Sequence, residues 1–165
     1  MPEKRIIKRA RKAKRAGKAS STQAGEFVRE EMHHIREGKH GARSTKQAIA
    51  IGLSEARRAG VDLPPPKKGT VSEKTRRSAK RAYESGRSGK RQKSPRRSKA
   101  TEGALKREGR AAASRKALSQ QAHSAAQKRT PAKRSASARR AARTKGSRGR
   151  SAAARKAART RARRG

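Results

Sequence analysis

The residues with the clearest chemistry in this sequence are its lysines and arginines. There are 51 of them against 11 Asp and Glu, so the formal net charge is +40 over 165 residues. Ammonium and guanidinium groups bind phosphate oxygens, and each phosphate that they neutralise releases condensed counterions from a nucleic acid. This excess is larger than solubility requires, and it predicts a polyphosphate partner.

Fifteen cations are candidate nucleic-acid-binding residues, because they lie on predicted polar helix faces or in strongly basic segments. They are Lys39, Arg43, Lys46, Arg57, Arg58, Arg76, Arg77, Lys80, Arg81, Arg96, Arg97, Lys133, Arg134, Arg139 and Arg140.

The charge is unevenly distributed along the chain. Residues 22–63 contain six acids and seven bases, a net charge of +1, so the flanks carry the remaining +39. This pattern predicts a nearly neutral folding unit between basic arms. The expected segments are a basic N-terminal arm 1–21, a helical hairpin 22–63, a proline-rich spacer 64–69, a third helix 70–86 and a basic tail 87–165.

Two helices are predicted in the hairpin. Apolar residues at helical spacing indicate a first helix from about Gln23 to Glu37, which Gly38 ends. Its apolar positions are Phe27, Val28, Met32 and Ile35. These residues should form the core-facing side.

The second helix is predicted from Thr45 to Ala59. Ser44 and Gln47 form a capping-box pattern, and Gly60 suits a left-handed C-terminal position. Gly52 and the neighbouring alanines should let the first helix approach closely.

The third helix is predicted to start at Thr70, paired with Glu73 in a second capping box, and to end near Gly86. With one Phe, one Tyr and no Trp, the chain has little large apolar surface to bury. The predicted fold class is therefore all-α: a small helical hairpin, with or without a third helix docked on it, flanked by disordered or transiently helical basic arms.

The loop Gly38 to Thr45 precedes the second predicted helix, where free N–H groups and the helix dipole favour an anion. It is either a seat for a phosphate or an ordinary glycine-rich turn. The order helix, turn, helix is also typical of sequence-specific DNA-binding proteins. In that interpretation the residues facing the major groove are Lys46, Gln47, Ser54 and Arg57. The connection is longer than in such proteins, and a solvated helix face explains the same residues.

The sequence gives less support for a metal site, for enzymatic activity or for contact with a second copy of the chain. Glu30, His34 and Glu37 share a side of the first helix and have the spacing of a divalent-metal site, but exposed ion pairs explain them more simply, and no metal or cofactor is expected. Cysteine is absent, and no nucleophile with a base and an orienting group is evident, so no enzymatic activity is expected. Glu30, Glu31 and Glu37 could instead contact basic arms of a second copy.

Two short segments give further support to the hypothesis that the protein binds nucleic acid. Ser94–Arg97 (SPRR) and Thr130–Lys133 (TPAK) place a proline beside cations, and a turn there would direct the cations into a DNA groove. Both segments resemble the Ser/Thr-Pro-basic motifs of linker-histone tails. In a chain rich in Ser and Arg, they could also arise by chance.

The non-repetitive segment TQAGEFVREEMHHIREGKHGARSTKQAIAIGLSEARRAGVDLPPPKKG, Thr22 to Gly69, resembles a bacterial domain-of-unknown-function family of small Lys/Arg/Ala-rich proteins. The resemblance implies a bacterial, soluble, non-enzymatic protein. The resemblance assigns no binding residues to this sequence.

These observations together predict non-sequence-specific DNA binding by phosphate neutralisation, as in histone-like, nucleoid-associated cytoplasmic proteins. An RNA- or ribosome-associated protein is the alternative, because charge alone does not distinguish polyanions. Binding to an anionic membrane is a second alternative, but the arms lack a large apolar face to insert. No small-molecule substrate is expected.

Overall fold

A computed structural model describes residues 3–89 and 94–163 of the chain. Every regular element in these ranges is helical: seven α-helices and one short 3-10 helix. They are α1 (Lys4–Arg15), α2 (Ser20–Arg36), α3 (Thr45–Arg58), α4 (Glu73–Ser88), α5 (Pro95–Lys106), the 3-10 helix (Ala111–Ala113), α6 (Arg115–Gln127) and α7 (Pro131–Ala162). The chain divides into two units, Met1–Gln121 and Ala122–Gly165.

The prediction of a small hairpin, with or without a third helix, between disordered or transiently helical basic arms is wrong. The N-terminal arm contains α1, and the basic tail contains α5, α6 and α7. Ala, Lys, Arg and Gln have high helix propensity, and this outweighs repulsion between like charges on neighbouring turns. The parts of the predicted arms at 1–2, 90–93 and 164–165 lie outside the described residues.

The two central helices are close to their predicted positions. Helix α2 starts at Ser20, three residues earlier than expected, and α3 starts at Thr45 as expected. Gly38 and Gly60 follow the helix ends with φ of 77° and 86°. The N–H groups of Gly60 and its successor donate to carbonyl oxygens of the last turn of α3. Glycine is favoured at such left-handed positions because a Cβ would be strained there.

Gly52 allows α2 and α3 to pack closely, as the sequence predicts. A Cβ on Gly52 would lie 2.7 Å from the Cα atom of Val28. We expect Gly52→Ala to lower the free energy of unfolding by about 2 kcal/mol, because the helix backbones would have to separate. Urea denaturation followed by circular dichroism measures this change.

Gly25 provides the matched control. It also lies inside a helix, but a Cβ there would meet nothing within 4 Å. Gly25→Ala should therefore raise the free energy of unfolding by up to about 1 kcal/mol, since alanine favours helix more than glycine does. Equal effects of the two substitutions would contradict the close packing of α2 against α3 at Gly52.

Helix α4 packs on α3, but it starts later than predicted. Its N-cap is Ser72, whose side chain accepts a hydrogen bond from the backbone N–H of Thr75. The capping box predicted for Thr70 is therefore wrong, and the Thr70 hydroxyl donates to the Lys67 carbonyl instead. Ala79 and Ala82 are buried, and the Tyr83 hydroxyl donates to Asp62 Oδ1 at 2.6 Å.

The first hydrophobic cluster is the reason that α1 is folded. Ile6 and Ala10, one turn apart on α1, are buried against residues of α2, of α3 and of the segment after α3. Those partners are Ala24, Phe27, Ala56 and Val61. Burial of Ile6 removes a whole aliphatic side chain from water, which is worth about 2 kcal/mol. The basic N-terminal segment therefore contributes to the core of the first unit.

The second hydrophobic cluster attaches the 3-10 helix to the α2–α3 pair. Ala112 and Ala113 are buried with Met32, Ile35, Ala42 and Ala48. The Thr45 hydroxyl donates to the Ala112 carbonyl at 2.7 Å, and Arg36 Nε donates to the Ala113 carbonyl at 2.9 Å. Small side chains let the backbone come close enough for these bonds. Part of the predicted tail is thus built into the first unit.

Candidate nucleic-acid interface

Two of the three acids that were expected to contact a second copy, Glu30 and Glu37, are paired within the chain. Arg5 Nη2 lies 2.8 Å from Glu30 Oε1, and Lys39 Nζ lies 3.1 Å from Glu37 Oε2. Burial disfavours the ionised form of Glu30, but the hydrogen bond and charge of Arg5 outweigh it and lower the pKa of Glu30. At Glu30 and Glu37 the chain's own basic residues therefore take the place that a second copy was expected to fill.

The face of α1 opposite the buried Ile6 and Ala10 is strongly basic, and none of its cations is among the fifteen candidates. Four cations lie on this face beside Ile7, and their positions repeat at helical spacing. They are Lys4, Lys8, Arg11 and Arg15. Spacings of four, three and four residues place side chains on one face of a helix. The same spacing was visible in the sequence, but it has meaning only if this segment is helical.

Helix α4 carries four candidate cations in two pairs. Arg76 Nη1 lies 3.0 Å from Glu73 Oε1, and Lys80 Nζ lies 3.7 Å from Glu84 Oε1. Arg77 and Arg81 are exposed, one turn apart. Neither forms an ion pair with the residues that the structure describes. The second pair is therefore the better placed of the two to meet phosphates.

Because, among the described residues, Arg76 and Lys80 form ion pairs and Arg77 and Arg81 do not, substitutions in the two pairs should have unequal effects on DNA binding. The double variant Arg77→Gln/Arg81→Gln should reduce the slope of log affinity against log salt concentration by about 2, one for each lost phosphate contact. Arg76→Gln/Lys80→Gln is the matched control with the same charge change, and its slope should fall less. Fluorescence anisotropy with a labelled duplex over a salt series measures both slopes. A larger fall for the control would place the contact on the other side of α4.

The loop between α2 and α3 does not offer the predicted phosphate seat. The N–H of Gly41 donates to the Leu105 carbonyl at 2.9 Å, and that of Ala42 donates to the Gly109 carbonyl at 3.1 Å. A Cβ on Gly41 would collide with the backbone of Glu108. The chain itself thus fills the site above the loop. Three candidates near the loop stay exposed: Lys39, Arg43 and Lys46.

Arg57 is not exposed, unlike the other candidates of α3. Its Nε donates to the Leu63 carbonyl at 3.0 Å and its Nη2 to the Pro64 carbonyl at 3.5 Å, and the residue is 7% exposed. Burial lowers the pKa of its guanidinium. Arg57 therefore holds the proline segment against α3, while Arg58 is exposed. The helix-turn-helix interpretation loses one of its proposed base-reading residues.

The two Ser/Thr-Pro segments start helices rather than form turns. Ser94 and Thr130 are the N-caps of α5 and α7, and a proline follows each at the first helical position. Arg96 and Arg97 lie in the first turn of α5, and both are exposed. Neither first turn contains an acid. Cations beside free N–H groups at a helix N-terminus are unfavourable alone and are stabilised by an anion.

Helix α7, in the second unit, carries the last four candidates. Lys133, Arg134, Arg139 and Arg140 are all exposed. No residue of α7 is buried, and none is a large apolar residue. The helix bends at Gly146, which has a φ of 64°. It is therefore a bent, cationic helix in which positive side chains point in many directions.

Among the helices of residues 3–89 and 94–163, none has both the length and the hydropathy that a bilayer-spanning segment requires.

Comparison with known proteins finds one family. Residues 11–68 match the Family of unknown function (DUF6496). The match covers about a third of the chain and overlaps almost all of the segment Thr22 to Gly69. No curated protein and no solved structure matches the chain. The end of α1, helices α2 and α3 and the proline segment are therefore similar to a family to which no function is assigned.

Proposed function

We propose that this protein binds double-stranded DNA with little sequence preference, by neutralising phosphates, as histone-like and nucleoid-associated proteins do. The observation that carries the proposal is the separation of charge along the chain. Glu26, Glu30 and Glu37 lie against cations of the first unit, whereas residues 109–165 contain 19 Lys and Arg and no acid. Cations without internal partners are stabilised by an external row of anions.

The arrangement of these cations on helices supports the proposal further. Arg139 and Arg143 are one turn apart on α7, as are Arg155 and Arg159. Like charges at this spacing destabilise a free helix, and phosphates remove that penalty. A straight helix of about 15 residues is about 22 Å long, so each half of α7 can contact several phosphates. The bend at Gly146 lets the two halves follow a curved surface.

Duplex DNA is favoured over single-stranded nucleic acid by the placement of the aromatic residues. Phe27 and Tyr83 are the only Phe and Tyr in the sequence, and there is no Trp. Phe27 is buried in the first cluster, and the Tyr83 hydroxyl is bonded to Asp62. Neither ring forms an exposed stacking platform, which single-strand binding uses. Membrane insertion is disfavoured because α7 has no apolar face.

Competition binding with the full chain tests the proposal. Two labelled duplexes of unrelated sequence and one structured RNA are titrated at the same salt concentration, each against the others as unlabelled competitors. We expect the two duplexes to bind with affinities within about threefold of each other, because phosphate contacts carry no sequence information. A 100-fold preference for one duplex would contradict the proposal. A strong preference for RNA would favour the RNA-associated alternative.

A further inference from the structure

Two histidines and a glutamate come together where the end of α2 meets the following loop. Glu31 and His34 lie on α2, and His40 lies in the loop. One potential ligand atom from each lies within 4.8 Å of the other two. The two imidazole rings stand edge to face with centroids 6.2 Å apart. We call these three residues the His–Glu cluster.

The carboxylate of Glu31 is enclosed but not satisfied. Its side chain is 2% exposed, and its Oε1 atom has no hydrogen-bond partner. Buried carboxylate oxygens are nearly always paired, because their desolvation is costly. Burial raises the pKa of Glu31 to about 7, the charge of His40 partly opposes this, and Glu55 on α3 adds to it. The fold therefore retains a buried acid at a free-energy cost.

The ring of His40 is oriented for coordination. Its Nδ1 lies 3.1 Å from the Gly41 carbonyl oxygen, which can accept only if Nδ1 carries the proton. Nε2 then presents its lone pair, and it lies 3.7 Å from Glu31 Oε2. Two lone pairs facing each other are unfavourable unless a proton or a cation lies between them. Metal-bound histidines commonly donate their other N–H to a backbone carbonyl in this way.

The surroundings of His34 also suit a bound cation. Its Nε2 is buried without a hydrogen-bond partner, although it lies 3.4 Å from Glu30 Oε1 and 3.6 Å from Glu3 Oε1. These two carboxylates add negative charge beside the ring. Of the set predicted from the first helix, Glu30 and His34 come together, but their third neighbour is Glu3. Glu37 pairs with Lys39 instead.

We propose that Glu31, His34 and His40 bind one divalent transition-metal ion of the zinc class. Two imidazole nitrogens and one carboxylate are ligands that zinc prefers, and three protein ligands leave a fourth tetrahedral position for water. The ion takes the place of the proton between His40 and Glu31. It joins α2 to the loop on which residues 105–109 are docked. None of the three ligands belongs to the fifteen candidate DNA-binding cations.

Calorimetric titration of the untagged full chain with Zn²⁺, after treatment with EDTA, tests the proposal. We expect saturable binding of one ion per chain. His34→Ala and His40→Ala should each weaken binding at least about tenfold, the loss typical of damage to such a site. His33→Ala is the matched control: His33 is exposed on the same helix, and its loss should leave the affinity within about twofold.

A second readout does not depend on variants, because His40→Ala could loosen the loop. In the wild-type chain, Zn²⁺ should shift the imidazole NMR signals of His34 and His40 and leave those of His33 and His123 in place. Bound Co²⁺ should show the intense visible absorption of tetrahedral coordination. The proposal is overturned if the wild-type chain binds no Zn²⁺ saturably, or if His33→Ala weakens binding as much as His34→Ala does.

Discussion

Replacing the 12 Lys and Arg of α7 by Gln lowers the affinity of the full chain for a random-sequence duplex by at least about 10³-fold at low salt. The reason is that these cations have no acid in their own helix to pair with, so the energy of their phosphate contacts is not offset by lost ion pairs. Glutamine keeps helix propensity close to that of Lys and Arg. Fluorescence anisotropy at about 50 mM salt measures the loss.

The matched control exchanges every Lys of α7 for Arg and every Arg for Lys. The exchange preserves charge and helix propensity, so the affinity should change little if charge is what matters. A large loss in this control would mean that specific guanidinium contacts are involved. An affinity within about threefold of wild type for the Gln variant would mean that α7 does not contact DNA.

Raising the pH from about 5 to 8 lowers the free energy of unfolding of the metal-free protein by up to about 3 kcal/mol through Glu31 alone. Burial raises the pKa of Glu31 from its ordinary value of 4.5 to about 7 in the fold. Between these values the folded state binds more protons than the unfolded state. Stability is therefore greatest at the acid end of this window and is lost as the pH rises through 7.

Glu31→Gln should flatten this profile and raise stability at pH 8, because the neutral amide is not ionised in the core. Glu84→Gln, an exposed substitution on α4, is the control and should leave the pH dependence unchanged. Urea denaturation in EDTA at several pH values gives both profiles. If Glu31→Gln and wild type have the same pH dependence, Glu31 does not titrate in this window.

Local signals were enough to predict the two central helices. Ser44 accepts from the backbone N–H of Gln47, and Gly38 and Gly60 take left-handed conformations after the helix ends. Each of these features depends on neighbouring residues only. The predicted capping box is incomplete, because Gln47 Oε1 accepts from the N–H of Arg43 rather than from that of Ser44.

The folded basic segments could not be predicted because their partners are distant in sequence. Ile6 is buried in one cluster with Phe27 and Val61, and Ala113 is buried in another with Ile35 and Ala48. Composition alone, with much Lys, Arg and Ala, is equally typical of disordered tails. Alanine contributes little apolar area, so a count of large apolar residues underestimates the core of this protein.

The candidate binding residues were predicted by charge, and charge does not reveal burial. Fourteen of the fifteen are exposed or half-buried, while Arg57 faces inward to backbone carbonyls at the proline segment. The sequence of the loop before α3 favours an anion, but the N–H groups of Gly41 and Ala42 donate to the carbonyls of Leu105 and Gly109. The basic face of α1 was missed because its spacing matters only on a helix.

The decisive measurement for phosphate neutralisation is the affinity of the purified full chain for a random-sequence DNA duplex as a function of salt concentration. We expect tight binding at about 50 mM salt and a loss of about 10³-fold or more by about 200 mM, because at least six phosphates should be neutralised. If binding is absent at about 50 mM, or hardly changes over this range, the protein does not bind DNA through its charge.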